Sequence, residues 1–254
     1  MNRYFLHLAY DGAGFHGWQI QPGDISVQQT VEEALQTVVR RKVAVTGAGR
    51  TDTGVSARMM MAHLDLEPQE TVGLLRSLNA LTDSRIAFLD LIEVPADAHA
   101  RFDATSRTYR YFVHHTRSPF TAGRSLWCNP LDYDAMNEAA RQLTEISDFT
   151  SFAKLHSDAR TNVCRVSRAG WTDIGCSSHY FEISADRFLR NMVRAVVGTL
   201  LEVGRRKMSI EGFREVIERR DRCAAGVSVP GEPLLLWDIT YPYIDGAALS
   251  RPPF

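Results

Sequence analysis

The segment Gly47-Ala48-Gly49-Arg50-Thr51-Asp52-Thr53-Gly54-Val55 is where this sequence concentrates residues able to do chemistry. Three glycines in eight positions permit backbone angles and close approaches that side chains obstruct. Between them an arginine and an aspartate lie two positions apart. Taken alone, Asp-Thr-Gly is most often a turn. Three kinds of chemistry compete with that plain reading. A dinucleotide-binding loop requires G-x-G-x-x-G, and counting from Gly47 the sixth position is Asp52, so the pattern fails. An aspartic protease needs two carboxylates sharing a proton, but Arg50 favours the ionised form and no second Asp-Thr-Gly occurs, so only a homodimer could supply it. A single ionised carboxylate acting as a nucleophile fits best, because a nearby guanidinium keeps such a group charged even when partly desolvated. Arg50 and the arginines from Arg187 onward are available for that pairing.

Other chemistries leave no trace. Cys128, Cys164, Cys176 and Cys223 form no C-x-x-C pair, and the eight histidines form no H-E-x-x-H. The net charge of −1 points to no partner, but its distribution does. Of the 29 basic residues only Lys42, Lys154 and Lys207 are lysine, and arginine grips phosphate in two-pronged fashion and stacks on bases. Arg101, Arg107, Arg110, Arg117 and Arg124 face only Asp103 between residues 101 and 130. Arg187, Arg190, Arg194, Arg205, Arg206 and Lys207 face only Glu202 between 187 and 207, whereas 64–97 is acidic. A neutral chain with one basic face is suited to a polyanion.

The elements that must position these residues alternate between strand and helix. Strands are expected at Tyr4 to Tyr10, Val43 to Val45, Met61 to Leu66 and Ile86 to Val94, with a helix capped by Ser26 and another near Thr71 to Leu78. In the second half, strands are expected at Thr108 to Val113, Val163 to Trp171, His179 to Ala185 and Leu234 to Tyr241. Helices are expected near Tyr133 to Leu143, over Arg187 to Val203, and from a Ser209 cap through Ile217. The Arg187 helix would carry Arg187, Arg190 and Arg194 along one side, at spacings of three and four. This mixed order gives two α+β modules, residues 1–103 and 104–254, the first with the glycine loop and the second completing the site. No apolar run approaches the roughly 18 residues of a membrane helix. The start has no signal-peptide pattern, so the cytosol is the expected location.

Several segments, in order, resemble the tRNA pseudouridine synthase A family. Besides Gly49 to Val55, they are Tyr10-Asp11-Gly12 through Phe15-His16-Gly17-Trp18-Gln19 to Pro22, Val27-Gln28 and Leu78-Asn79-Ala80. His99-Ala100-Arg101-Phe102-Asp103-Ala104, Arg107-Thr108-Tyr109-Arg110-Tyr111 and Asp148-Phe149-Thr150-Ser151-Phe152 continue the series. Phe188-Leu189-Arg190-Asn191-Met192-Val193-Arg194, Gly198-Thr199-Leu200 and Val203-Gly204 complete it. The resemblance implies two ferredoxin-like α+β halves forming an extended, mainly antiparallel sheet with helices packed on it, the pseudouridine synthase fold. It implies a homodimer that isomerises uridine at about tRNA positions 38 to 40, in the anticodon stem-loop, without cofactor or metal.

The family's nucleophile falls on Asp52, its base-packing tyrosine on Tyr109 and the arginine paired with the aspartate on Arg194. Arg50 matches the loop arginine that flips or holds the nucleotide. Such an isomerisation requires the base to leave its stack, and a tyrosine flanked by Arg107 and Arg110 suits that task. Arg58, Arg101, Lys154, Arg187, Arg190, Arg205, Arg206 and Lys207 are expected as further RNA contacts, and Trp18, His63 and His99 as structural residues. The chain departs from the family pattern at Ser56 (histidine), Met59-Met60 (Gly-Gln), Arg206 (often glycine) and Gly226 to Pro233 (a Gly-Pro-Thr-Ala-Pro run). The rival class is a non-catalytic RNA-binding protein, in which Asp52 shapes a turn. A pure binder gains nothing from an anion among arginines.

Overall fold

A computed structural model of the chain describes residues 1–155 and 160–252. The first elements are β1 (Asn2–Tyr10), α1 (Val27–Val39), β2 (Thr46–Gly47), β3 (Ser56–Leu66), α2 (Leu74–Leu81) and β4 (Ile86–Val94). Then come β5 (Ser106–His114), β6 (Leu126–Trp127), α3 (Tyr133–Arg141), β7 (Val166–Gly175) and β8 (Ser178–Ala185). The chain closes with α4 (Met192–Gly204), α5 (Ile210–Arg219) and β9 (Leu234–Thr240). The fold is α+β, with mainly antiparallel sheets carrying helices.

Two compact units emerge, one of Met1–Thr105 with Leu235–Phe254, the other of Ser106–Leu234. The expected division at 103/104 gave the C-terminal segment to the second half. Instead that segment packs with the first unit, because β9 pairs in parallel with β3 at Ser56–Leu235 and Ala57–Leu236. The Tyr241 hydroxyl also donates to the Ala100 carbonyl at 2.5 Å.

In the first unit β1 is central, antiparallel to both β3 and β4, and its residues from Tyr4 to Tyr10 are buried. Ser26 caps α1 by accepting the Gln29 N–H at 3.2 Å, and Val27, Val31, Ala34 and Leu35 supply its buried stripe. Gln29 does not complete a capping box; its side chain donates to Glu33. The strand expected at Val43 to Val45 does not form. Glu32 accepts the Val45 N–H at 3.0 Å and Gln28 donates to the Val45 carbonyl at 3.1 Å, so helix side chains take the groups a ladder would use. Only Thr46–Gly47 pairs, antiparallel to β3.

In the second unit β8 lies between β5 and β7, antiparallel to both. Tyr111, Phe181, Trp171, Met136, Ala139, Ala140, Val196 and Leu200 are among its buried residues. Helix α4 is buried on nearly every side, and Arg194 and Glu202 are its only charged residues. It begins five residues later than its apolar pattern predicts. Asp186 takes the Arg187 N–H at 2.7 Å, the Arg190 carbonyl takes the Lys154 N–H at 3.1 Å, and Asn191 sits at φ 66. A left-handed residue cannot lie inside an α-helix, and asparagine is among the few side chains that tolerate that conformation. Arg187 and Arg190 therefore occupy a loop, and the predicted one-sided row of three arginines on a helix does not exist.

Candidate active site

The Asp52 loop rests on the segment that links β1 to α1. Trp18 donates its backbone N–H to the Thr51 carbonyl at 3.2 Å, and the Gly54 N–H donates to the Phe15 carbonyl at 3.3 Å. The Tyr10 hydroxyl and the Thr51 hydroxyl share a buried hydrogen bond of 2.8 Å. Gly17, at φ +81, lies so near the Thr51 carbonyl oxygen that no side chain fits there, and Gly12 stands equally close to the Val55 carbonyl. A Cβ on Gly47 would lie 2.5 Å from the indole of Trp18, which is 2% exposed and serves as the expected core anchor. This cradle was not anticipated, although the Gly12-x4-Gly17-Trp18 spacing is its trace in the sequence. On it Thr51 and Val55 are buried, Asp52 is half-buried, and the Asp52 carbonyl accepts the Val55 N–H at 3.1 Å.

Arg50 does not hold Asp52. Its side chain is exposed and makes no hydrogen bond or ion pair among the described residues. Arg58, on β3, lies with its guanidinium 4.4 Å from the centre of the Trp237 ring. Arg101 is exposed on a turn after β4, 5.7 Å from the Phe102 ring. His63 and His99 are structural, as expected. The His63 Nδ1 accepts the Ala100 N–H at 3.1 Å, and the His99 Nδ1 accepts the N–H of Arg101 at 3.1 Å. Burial, with His99 and Arg3 nearby, pushes the His63 imidazole down to about 4, so it is neutral at physiological pH.

In the second unit, alternation along β5 puts Arg107, Tyr109 and Tyr111 on one face and Thr108, Arg110 and Phe112 on the other. Tyr109 is half-buried and meets Phe188 edge to face, 5.1 Å between ring centres and 87° between planes. Arg107 donates to the Asp186 carbonyl at 2.8 Å, at the start of the loop that carries Arg187 and Arg190. Arg110 does not flank Tyr109. It donates to Glu182 at 2.7 Å on the opposite face and covers the Tyr180 ring at 4.3 Å. Arg168 holds the second oxygen of that carboxylate at 3.0 Å.

Arg194 sits in the first turn of α4, and residues 226–229 fix it there. Its Nε donates to the Val229 carbonyl at 2.7 Å, while Val229 returns an N–H to the Arg194 carbonyl at 3.2 Å. Asn191 donates to the Ser228 hydroxyl at 2.6 Å and Arg222 does so at 2.8 Å. Gly198 makes room for this strap, since a Cβ there would overlap the Val227 carbonyl. Lys154, Arg190 and Arg187 lie near this end of α4, the first two joined through their backbones. Arg205 and Lys207 do not. They stand at the far end, about 16 Å along the axis from Arg194, and Arg205 is paired to Glu202 at 2.7 Å.

A family model described as tRNA pseudouridine synthase matches residues 139–242. A tRNA pseudouridine synthase A of Bacteroides thetaiotaomicron is 54% identical over 246 residues, covering 95% of this chain and 91% of that protein. The protein of the same name from Parabacteroides distasonis is 53% identical over 251 residues, covering 95% and 97%. The one from Rhizobium meliloti is 38% identical over 250 residues, covering 95% and 100%. The chain belongs to the tRNA pseudouridine synthase A family. As a member it is an isomerase acting on tRNA.

The departures from the family pattern now have physical accounts in this synthase. Ser56 accepts the Gly12 N–H at 2.9 Å and so ties the cradle to β3. Met59 and Met60 are fully buried and fill the core. Arg206 sits at φ 59, the left-handed region, which explains why glycine suits that position. An ion pair of 3.1 Å to Asp132 and a backbone bond of 2.8 Å to Val203 hold it there. The 226–233 run, different in sequence, is the strap that orients Arg194.

Proposed function

We propose that this synthase converts uridine to pseudouridine in the anticodon stem-loop, at positions 38, 39 and 40, with Asp52 as nucleophile. The observation that carries the reading is the cradle under the Asp52 loop. A turn pinned through three glycines and three backbone or hydroxyl hydrogen bonds holds one half-buried carboxylate with little freedom to move. Such fixed placement of a reacting group is a large part of catalysis, whereas a turn that served only to reverse the chain would not need it.

The target nucleotide flips out of its stack to reach this carboxylate. The bond from the ribose to N1 breaks, the uracil turns, a bond to carbon 5 forms, and the proton at carbon 5 is lost while N1 gains one. Tyr109, steadied edge-on by Phe188, supplies the aromatic face for the displaced base. Arg194 supplies the positive charge that favours the anionic carboxylate. Arg50, with no other engagement among the described residues, holds the flipped nucleotide. Arg58, Arg101, Arg107, Lys154, Arg187 and Arg190 take phosphates, and Arg110, Arg205 and Lys207 contribute at most long-range attraction. The enzyme works as a cytoplasmic homodimer, and no helix of the described residues is long and apolar enough to cross a membrane. Sedimentation at equilibrium tests the dimer.

Tritium release from tRNA labelled at uracil carbon 5 tests the chemistry. Wild type is expected to release label and Asp52→Asn to release none while still binding tRNA. Equal release by both proteins removes Asp52 from the mechanism.

A further inference from the structure

Phe102 is 74% exposed, in a turn held by several hydrogen bonds. The Asp103 carboxylate accepts the His99 N–H at 2.7 Å and the Tyr243 hydroxyl at 2.8 Å. Asp103 returns its own N–H to the His99 carbonyl at 3.0 Å. The His99 Nδ1 accepts both the Arg101 N–H, at 3.1 Å, and the Phe102 N–H, at 3.3 Å. Below the Phe102 ring lies the His99 imidazole, centres 4.2 Å apart and tilted by 33°, and His63 backs that imidazole edge-on at 4.5 Å. Tyr241 clamps the base of the turn through the Ala100 carbonyl.

Folding gains little from a large apolar ring left mostly in water, so this much hydrogen bonding around it calls for another purpose. The ring has one side seated on an imidazole and the other open, with the Arg101 guanidinium 5.7 Å from its centre. A rigid aromatic face beside a cation is what an unpaired nucleobase and its phosphate require. We infer that Phe102 and Arg101 form a second stacking platform on this synthase, which takes an unpaired base of the tRNA substrate other than the uridine being isomerised. Phe102 receives the base, Arg101 the adjoining phosphate, and His99 fixes the angle of the ring. The inference rests on the reading of the chain as an enzyme that grips its tRNA directly. It commits to RNA as the occupant because the exposed neighbour is a cation and the family's substrate is a polyanion.

Binding of an unmodified tRNA transcript to the full-length protein tests it. Phe102→Ala is expected to weaken affinity roughly tenfold, and Phe102→Tyr to stay within about twofold of wild type. Phe102→Trp is expected to add a fluorescence change on tRNA addition beyond that given by the four native tryptophans of wild type. Arg101→Ala should lower the slope of log affinity against log salt by about one. Thermal midpoints should not move, since the ring is exposed. Wild-type affinity in Phe102→Ala, or no added signal in Phe102→Trp, overturns the platform. So does a Phe102→Ala protein that changes from dimer to monomer with tRNA affinity per subunit intact, for then a second copy covers the ring. Tritium release by wild type is measured alongside. If wild type isomerises uridine and Phe102→Ala binds normally, this inference alone fails. If wild type isomerises none, the underlying reading fails, and this inference with it.

Discussion

The Asp52 loop is fixed by what is missing from Gly12, Gly17 and Gly47, whereas Arg194 is fixed by what residues 226–229 add to it. In the first region backbone packs directly on backbone, and any added carbon collides with a carbonyl or an indole. In the second region a charged side chain on a buried helix is oriented by a carbonyl more than thirty positions away in sequence. The two devices tolerate change differently. Steric contact of the first kind admits no substitute, which accords with Gly12 and Gly17 falling in the segments that resemble the family. A strap built on backbone carbonyls and one hydroxyl can change most of its side chains, as the 226–233 run has done, and still hold the arginine.

Substitutions should separate the two. Asp52→Asn carries the largest expected effect, a fall in tritium release of roughly 10³-fold or more with tRNA affinity near wild type. Gly17→Ala comes next. Its Cβ would displace the Thr51 carbonyl at a positive-φ position, so activity should fall about 100-fold, and the chemical-denaturation midpoint should drop by the equivalent of ~1–3 kcal/mol. A Gly17→Ala protein with full activity would break the contrast. Ser228→Ala removes the acceptor shared by Asn191 and Arg222 and leaves the Val229 carbonyl in place. A loss of only a few-fold in turnover, with about 1 kcal/mol of stability, is therefore expected. If Ser228→Ala proves as damaging as Gly17→Ala, the strap is as unforgiving as the cradle.

The last effect is on stability alone, through pH. His63 is held down to about 4 in the folded protein against an unfolded value of 6.5, chiefly by burial. The unfolded chain therefore takes up this proton first. The contribution is intact above about pH 7 and is lost as pH falls through 6.5 towards 4, by no more than about 2 kcal/mol given the partial exposure of the ring. His114 and His179 in the second unit are also lowered by burial and tilt the curve the same way. His63→Asn, which can still accept the Ala100 N–H, should flatten denaturation midpoints measured from pH 7 to 4.5. An unchanged slope would remove His63 from that account.

What the sequence disclosed follows the same division. Strands with alternating burial were legible, and Ile86 to Val94 and Ser209 capping α5 stand as read. The glycine loop was legible because glycine announces itself. The start of α4 was not, since apolar periodicity runs back through Phe188 and only the φ of Asn191 ends the helix. Nor was the fate of Arg110, whose partner Glu182 lies 72 positions away. Arg50 beside Asp52 in sequence suggested an ion pair, but adjacent residues in a turn point where the turn sends them. Spacing identifies periodic neighbours; long-range partners of charged side chains leave no mark in it.

The pairing of β9 with β3 has a consequence for how this protein is made. Leu235 and Leu236 join the sheet beside Ser56 and Ala57, just after the Asp52 loop. On the ribosome, the first unit must wait, one strand short, while the entire second unit is synthesised and the chain returns to it. A polypeptide that stops short of β9 thus displays the Asp52 loop on an unfinished scaffold, and the first unit is completed only once β9 has been made.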